Sequence, residues 1–353
     1  MKRVSTSKRI KKIATIIVVG GMALIFLFDI AVNIWAGHLE KRFPLLPASF
    51  DFIGDGGNRI HFLNTGNSDC VLLESRGRFA LVDSGWGSEN PIEASRRPGY
   101  EQRVLDYLGR VASDAASVDA TGQVTLDFIL PTHYHYDHAG GFPAILEDPA
   151  ITVKEVFLRP LDQTHRRYFE RNWDIPVIRQ RIEDAAAARG FPIAEELPDK
   201  PFQLGDMTVQ FFNLDSCENP RLKGENDNSV VTLISLPTGR TALLTGDISA
   251  STGLERQIAR QLKETQGDDF TLDLLKIPHH GYTMSSSAAF LRALRPKLAV
   301  ATNDLGKIYP NVKWNLALVS CTTTISSAHE NGVIVTFAAD GNISLRNELH
   351  LEN

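Results

Sequence analysis

"THYHYDHAGG", Thr132 to Gly141, sets three histidines and an aspartate within six positions, directly after the apolar residues Leu126, Phe128, Ile129 and Leu130. An apolar run that stops at turn residues reads as a buried strand. Along an extended segment, residues i and i+2 point the same way, so His133 and His135 reach one point together. Asp137 and His138 fall in the turn that follows and face a second point a few ångströms away. Imidazole nitrogen with carboxylate oxygen suits Zn²⁺, and also Mn²⁺ or Fe. Two metals about 3.5–4 Å apart clamp both the attacking and the leaving oxygen of a hydrolysis. Unrelated surface or core histidines are the bland alternative, and chance does not readily give this spacing.

A dinuclear site needs more ligands, and other strand ends offer them. Asp247 closes "TALLTGD" and is placed to bridge two metals. His279 and His280 end "LLKIPHHG". Alone each is weak, because an aspartate after a strand is often a helix cap and a histidine pair a solvated turn. With the opening motif they complete a ligand set.

Outward from the motif, short strand patterns ("RIHFLNTG", "CVLLES", "RFALVDSG") precede a helical pattern from Glu101 to Ala112. A helical stretch from Leu161 to Gly190, interrupted at Pro176, follows, then a second strand set ("MTVQFFNL", "SVVTLISL", "TALLTGD", "LDLLKIPHH", "KLAVATN") and a last hairpin at Asp340-Gly341. Strand sets in both halves predict an α/β (α+β) fold of two packed sheets with helices outside. The net charge of -5 gives no global reason to bind a polyanion. The cysteines, Cys70, Cys217 and Cys321, form no CxxC pair and read as small buried residues.

The N-terminus differs. Lys2, Arg3, Lys8, Arg9, Lys11 and Lys12 precede an apolar stretch from Ile13 to Ala36 that is broken only by Asp29. That length spans a bilayer. The basic cluster predicts a cytoplasmic N-terminus and an extracytoplasmic remainder, with Trp35 at the far interface. A cleaved signal peptide competes, but its apolar core would be long and Ile34-Trp35-Ala36 is a poor cleavage site. The expected divisions are a basic tail over 1–12, a transmembrane anchor over 13–36, a linker over 37–50 and a catalytic domain over 51–353.

The pattern His133-x-His135-x-Asp137-His138 resembles the signature of the metallo-β-lactamase superfamily. "NTGNSDCVLLES", "FILPTHYHYDHAGG", "ENDNSVVTLIS", "ALLTGD" and "LLKIPHHG" occur in the order of one branch, the hydrolase domain of ComEC-type competence proteins and its stand-alone relatives. The similarity covers about residues 58 to 346. It implies an αββα sandwich preceded by one transmembrane helix, and attack by a metal-bound hydroxide in a mono- or dinuclear site. By resemblance, His133 and His135 belong to site one, Asp137 and His138 to site two, and Asp247 bridges. One of His279 and His280 completes site two while the other touches substrate. Asp69 lies close to the metals, and Asp83 orients the ligand loop. Two Zn²⁺ are expected, with Mn²⁺ as the alternative.

The chain also departs from the pattern. The slot for a third site-one histidine falls in "GENDNS", where Asn226, Asp227 or Asn228 must supply an oxygen instead. Asn64 stands where the branch usually has aspartate. The expected catalytic residues are Asp137, which orients or deprotonates water, Asp69, and Lys276 as a phosphate contact. The branch implies a phosphodiester substrate, small or nucleic acid. Arg159, His165, Arg166, Arg167 and Arg171, with Tyr168 and Trp173, offer phosphate and stacking contacts, or simply a solvated helix face. The competing readings are a lactonase, β-lactamase or phosphocholine-ester hydrolase, a di-iron redox protein in which Glu225 would be a ligand, and a non-catalytic metal-binding or DNA-uptake accessory module. The sequence leaves the oligomeric state open.

Overall fold

The computed structural model describes residues 3–47, 56–88, 99–112, 122–161, 175–216, 224–328 and 331–347. A long helix α1 (Arg3–Glu40) leads into the first sheet: β1 (Leu45–Leu46), β2 (Asn58–Phe62), β3 (Cys70–Ser75), β4 (Arg78–Ser84), β5 (Val124–Leu130), β6 (Ile151–Val153), β7 (Val156–Phe157) and β8 (Ile193–Ala194). Helices α2 (Glu101–Ala112), α3 (Tyr136–Ala139), α4 (Phe142–Glu147) and α5 (Ile175–Arg189) interleave with those strands. The second sheet holds β9 (Phe202–Leu204), β10 (Met207–Phe212), β11 (Val231–Ser235), β12 (Thr241–Leu244), β13 (Leu274–Lys276), β14 (Leu298–Ala301) and β15 (Thr323–Ser326). Helices α6 (Leu254–Gln266), α7 (Ala288–Leu294) and α8 (Pro310–Trp314) cover it, and α8 continues into a π-helical turn, Asn315–Val319. The closing hairpin, β16 (Val333–Phe337) and β17 (Ile343–Asn347), returns to the first sheet.

The strand orders are β1-β17-β16-β2-β3-β4-β5-β7-β8, with β6 also on β5, and β15-β14-β13-β12-β11-β10-β9. Alternation along the strands sorts their side chains into three apolar layers. Leu72, Leu81 and Leu126 meet α2, α4 and α5 outside the first sheet. Phe62, Val82, Phe128, Val209, Ile234 and Leu274 fill the space between the sheets. Leu233, Leu243, Leu275 and Ala299 meet α6 and α7 outside the second sheet. The result is the expected αββα sandwich.

Two bulges reset the alternation where it matters. On β5 the register with β4 jumps from Leu126 to Phe128, and the extra residue, Asp127, turns out to pair with Arg78 at 2.6 Å. On β4 the register with β3 jumps across Asp83, whose φ of 57° is left-handed. A bulge re-aims one side chain and shifts the in-out alternation of the residues after it, so that Leu126 and Phe128 fall in different layers.

Several expectations need correction. Of the helical stretch read from Leu161 to Gly190, residues 162–174 lie outside the described residues, and Pro176 lies in the first turn of α5, where its missing N–H costs nothing. The helix read as ending at Ala36 runs to Glu40, and the stretch read as linker contains β1, paired in parallel with β17 through Leu45↔Leu345. The Trp35 Nε1 donates to the Ala317 carbonyl at 3.0 Å while the residue stays 40% exposed. Cys70 is buried but Cys321 is exposed, and Cys217 lies outside the described residues. The helix α6 was not read from the sequence, although Leu254, Ile258 and Leu262 form its buried stripe.

Candidate metal centre

The strand ends that carry the motif residues meet at one edge of the sandwich. The bulge turns the Asp83 carboxylate toward the loop after β5. There it accepts from Thr132 N at 2.7 Å and Thr132 Oγ1 at 2.8 Å, and meets His138 Nδ1 at 2.8 Å. The glycines of the motif permit close passage: a Cβ on Gly140 would lie 2.6 Å from Gly87 N, and one on Gly141 2.7 Å from Ser84 O. His279 (φ 49°) and His280 (φ 51°) are both left-handed in the turn Pro278–Gly281. Non-glycine residues hold that conformation only where surrounding structure over-determines it, and such strain gathers at functional sites.

The strained turn sends the two histidines apart. His280 is buried and His279 lies at the rim with its side chain 31% exposed. His280 Nδ1 faces Asp69 Oδ1 at 3.2 Å and Thr302 Oγ1 at 3.0 Å. Thus His138 and His280 share one arrangement, with Nδ1 on a carboxylate and Nε2 turned inward. A carboxylate behind a ligating histidine fixes its tautomer and ring orientation. The inward atoms converge: His138 Nε2 lies 3.2 Å from His280 Nε2 and 3.3 Å from Asp247 Oδ2. His280 Nε2 lies 3.4 Å from Asp247 Oδ2 and 3.5 Å from Asp137 Oδ2. Ligands about 2.0–2.1 Å from a tetrahedral metal stand roughly 3.3–3.4 Å apart, so a cation fits this set.

Asp69, His138, Asp247 and His280 each bring one donor atom within 4.8 Å of the others. Asp69 nevertheless stands behind His280, because its oxygens also engage Thr302 and Lys276. We therefore read it as orienting His280; Asp137 Oδ2 approaches His280 from the Nε2 side instead, at 3.5 Å.

His133 and His135 form a second convergence, with His133 Nε2 3.1 Å from His135 Nδ1. His133 Nδ1 lies near Thr132 Oγ1 at 3.1 Å and Ser229 Oγ at 3.3 Å. Within "GENDNS", Asp227 accepts from Thr252 Oγ1 and Asn228 donates to Glu225. Asn226 faces the site: its Nδ2 lies 3.2 Å from His279 Nε2, and its buried Oδ1 has no hydrogen-bond partner. Asn226 therefore offers a buried oxygen with no hydrogen-bond partner, and the Asn228 bond, made through its Nδ2, leaves Asn228 a candidate beside it.

The charges are arranged to match. Burial and the nearby His138 and His135 hold His133 well below the usual imidazole range, and burial lowers His135. Burial also opposes charge on His138, but Asp247, Asp83 and Asp69 outweigh it and push its pKa up to about 10. The same contest raises His280, through Asp247 and Asp69. Burial opposes the Asp247 charge, but His138, His280, His279 and Lys276 hold its carboxyl well below the usual range.

Other expected residues stand differently. Lys276, expected to touch phosphate, is 1% exposed; its ammonium pairs with Asp69 and donates to Gly246 O at 2.9 Å and Asp247 Oδ1 at 3.5 Å. It stands behind the ligands, since two buried carboxylates hold a cation more tightly than an open cleft does. Arg159 is also buried and pairs with Glu225 at 3.4 Å. Glu225 is further engaged by Tyr134 N and Asn228, a structural role rather than the iron ligation weighed above. His165, Arg166, Arg167, Tyr168, Arg171 and Trp173 lie outside the described residues. Asn64 turns to Asn331 and Gly66 N. Thr302 and Ser229, the latter accepting from Asp247 N at 2.9 Å, were not foreseen as supports; their signal is their place at the strand ends.

A ligating imidazole must be neutral, so cation binding has to displace the protons of His138 and His280. Affinity for Zn²⁺ or Mn²⁺ is expected to rise with pH through neutrality, with proton release. Calorimetry in buffers of different ionisation enthalpy measures that release, and buffer-independent heats would contradict the arrangement.

Residues 63–301 match the family model described as the metallo-beta-lactamase superfamily. ComE operon protein 3 of Bacillus subtilis (strain 168) is 22% identical over 88% of this chain; the chain spans only 38% of that relative's length. Among solved structures, the metallo-beta-lactamase fold protein YhfI from Bacillus subtilis is 12% identical, covering 82% of this chain and 99% of its own, with a TM-score of 0.44. CmlA, a diiron beta-hydroxylase from Streptomyces venezuelae, is 14% identical, covering 73% of this chain and 47% of its own, with a TM-score of 0.39. The match over 63–301 takes in the motif, Asp247 and the histidine pair, and the chain belongs to the metallo-β-lactamase superfamily.

Proposed function

We propose that this chain is a metal-dependent hydrolase of phosphodiesters, carried on a membrane anchor with its catalytic domain outside the cytoplasm. The observation that carries the hydrolase reading is the convergence of His138 Nε2, His280 Nε2 and Asp247 Oδ2 at 3.2–3.4 Å, each histidine backed by its own aspartate. A divalent cation there lowers the pKa of water and neutralises charge that develops on the substrate.

The chain's own residues do the rest. Asp137, whose side chain is 20% exposed, is the site carboxylate open to an incoming water, and is placed to orient it and take its proton. Asp83 and Asp69 hold His138 and His280 in orientation. Lys276 offsets the charge of Asp69 and Asp247 so that both stay ionised. At the rim, Asn226, His279 and Tyr282 present polar atoms; Tyr282 also receives Asn67 Nδ2 at 2.7 Å. Such donors suit phosphoryl oxygens. The phosphodiester class is supported by the branch-like segments "ENDNS" and "PHHG".

The test is the full chain in detergent with Zn²⁺ or Mn²⁺, assayed against a bis-aryl phosphodiester, single-stranded DNA, a lactone and a β-lactam. We expect phosphodiester turnover, lowered about 10–100-fold by Asp83→Asn, the loss usual for a residue that orients a ligand. Rapid lactone or lactam opening with inert phosphodiesters would overturn the substrate class. Metal uptake with no turnover of any of these would favour the accessory-module reading.

The basic cluster before Ile13 supports the orientation of α1. A reporter fused after Asn353 is expected to be active only on the outer side of the membrane, and cytoplasmic activity would reverse that orientation.

A further inference from the structure

The helix α1 does not project freely from the domain. Its last third lies along the face made by α8, the π-helical turn and the start of β15. Phe28 meets Trp314 edge-on with ring centroids 5.1 Å apart, and Trp314 Nε1 donates to Asp29 Oδ1 at 3.0 Å. Val32 and Leu39 are buried against Ala317, and Thr323 Oγ1 donates to the Leu39 carbonyl at 2.7 Å. Asp29, the lone acid of the apolar stretch, thus has a partner on the domain.

This contact limits how much of α1 a bilayer can hold. The uncharged part that remains clear of the domain, Ile13 to Leu27, is about 22 Å long at ~1.5 Å per residue. That is shorter than a hydrocarbon core of roughly 30 Å and leaves no spare length to hold the domain off the bilayer. The headgroup layer then begins near Asp29, at the level of Trp314, so the domain face beside Trp314 has to meet it.

The composition of that face agrees. Apart from α1, the large hydrophobic residues exposed among the described ones are Leu46, Val177, Met284, Tyr309 and Leu318. Tyr309 and Leu318 flank α8, and the loop with Met284 is tied alongside by Tyr309 N to Gly281 O and by Asn315 Nδ2 to Ser286 O. The segment from Leu305 to Val319 has two lysines, Lys307 and Lys313, and no acid. Basic residues beside apolar ones suit an anionic membrane surface. The metal rim joins this face through Tyr282, which stacks edge-on against both His279 and Tyr309.

We propose that the face formed by Leu305 to Val319 and the Met284 loop rests on the outer surface of an anionic bilayer, so that the metal centre opens beside the membrane. The proposal rests on α1 as a membrane span and is independent of the substrate class.

The test uses the full chain with Cys217→Ser and Cys321→Ser, labelled with an environment-sensitive fluorophore at Leu318→Cys, Tyr309→Cys, Leu24→Cys or Val177→Cys. Each is reconstituted in nanodiscs of phosphatidylcholine with phosphatidylglycerol, with and without doxyl-labelled lipid. We expect the doxyl lipid to remove most of the fluorescence at Leu318, Tyr309 and Leu24 and to leave Val177, on the opposite layer, unchanged. Lys307→Glu with Lys313→Glu should restore the signal at Leu318 but not at Leu24. Quenching at Leu24 with none at Leu318 and Tyr309 would overturn the membrane-facing surface. No quenching at Leu24 would remove the span itself and the proposal with it.

Discussion

Asp69, Asp83 and Asp247 are buried together at the end of the two sheets, with Asp137 beside them. Carboxylates in that density repel one another and lose their hydration, so the fold has to supply opposite charge. Lys276, His138 and His280 supply it, and the same aspartates raise the pKa of both histidines. Only Lys276 is a permanent cation. If the histidines act as neutral ligands, the aspartates need positive charge from elsewhere, and a divalent cation among His138, His280 and Asp247 provides it. The strained left-handed turn at His279 and His280 and the bulge at Asp83 are local costs of bringing those groups to one point.

Much of this was legible in the sequence because ligand type and strand position are written residue by residue. The opening motif, Asp247 and the histidine pair sit at ends of apolar runs, and those runs became β5, β12 and β13. Alternation along the strands was likewise enough to place two sheets with helices outside. Parity was harder. A bulge inserts one residue and reverses every side chain after it, so neither Asp127 nor Asp83 could be oriented from periodicity.

The basic residues show a different limit. Lys276 and Arg159 look like phosphate contacts when only charge and neighbourhood in the chain are read. Their partners, Asp69 and Glu225, lie far away in sequence and decide the matter by burying them. The N-terminal helix shows the same limit: hydropathy located a helix long and apolar enough to cross a bilayer, but the docking of its end depends on Trp314 and Ala317, almost 300 residues later. Asn226 was one of several equal candidates in the sequence, and only the turn Glu225–Asn228 brings its amide against His279.

The central claim is that a cation sits where His138 Nε2, His280 Nε2 and Asp247 Oδ2 converge. Crystals of the chain grown with Mn²⁺ or Zn²⁺, with diffraction recorded at that metal's absorption edge, test it most directly. The account predicts an anomalous peak within bonding distance of those three atoms, with His138 and His280 still held through Nδ1 by Asp83 and Asp69. A metal bound only elsewhere, or no peak at this point under saturating metal, would contradict it.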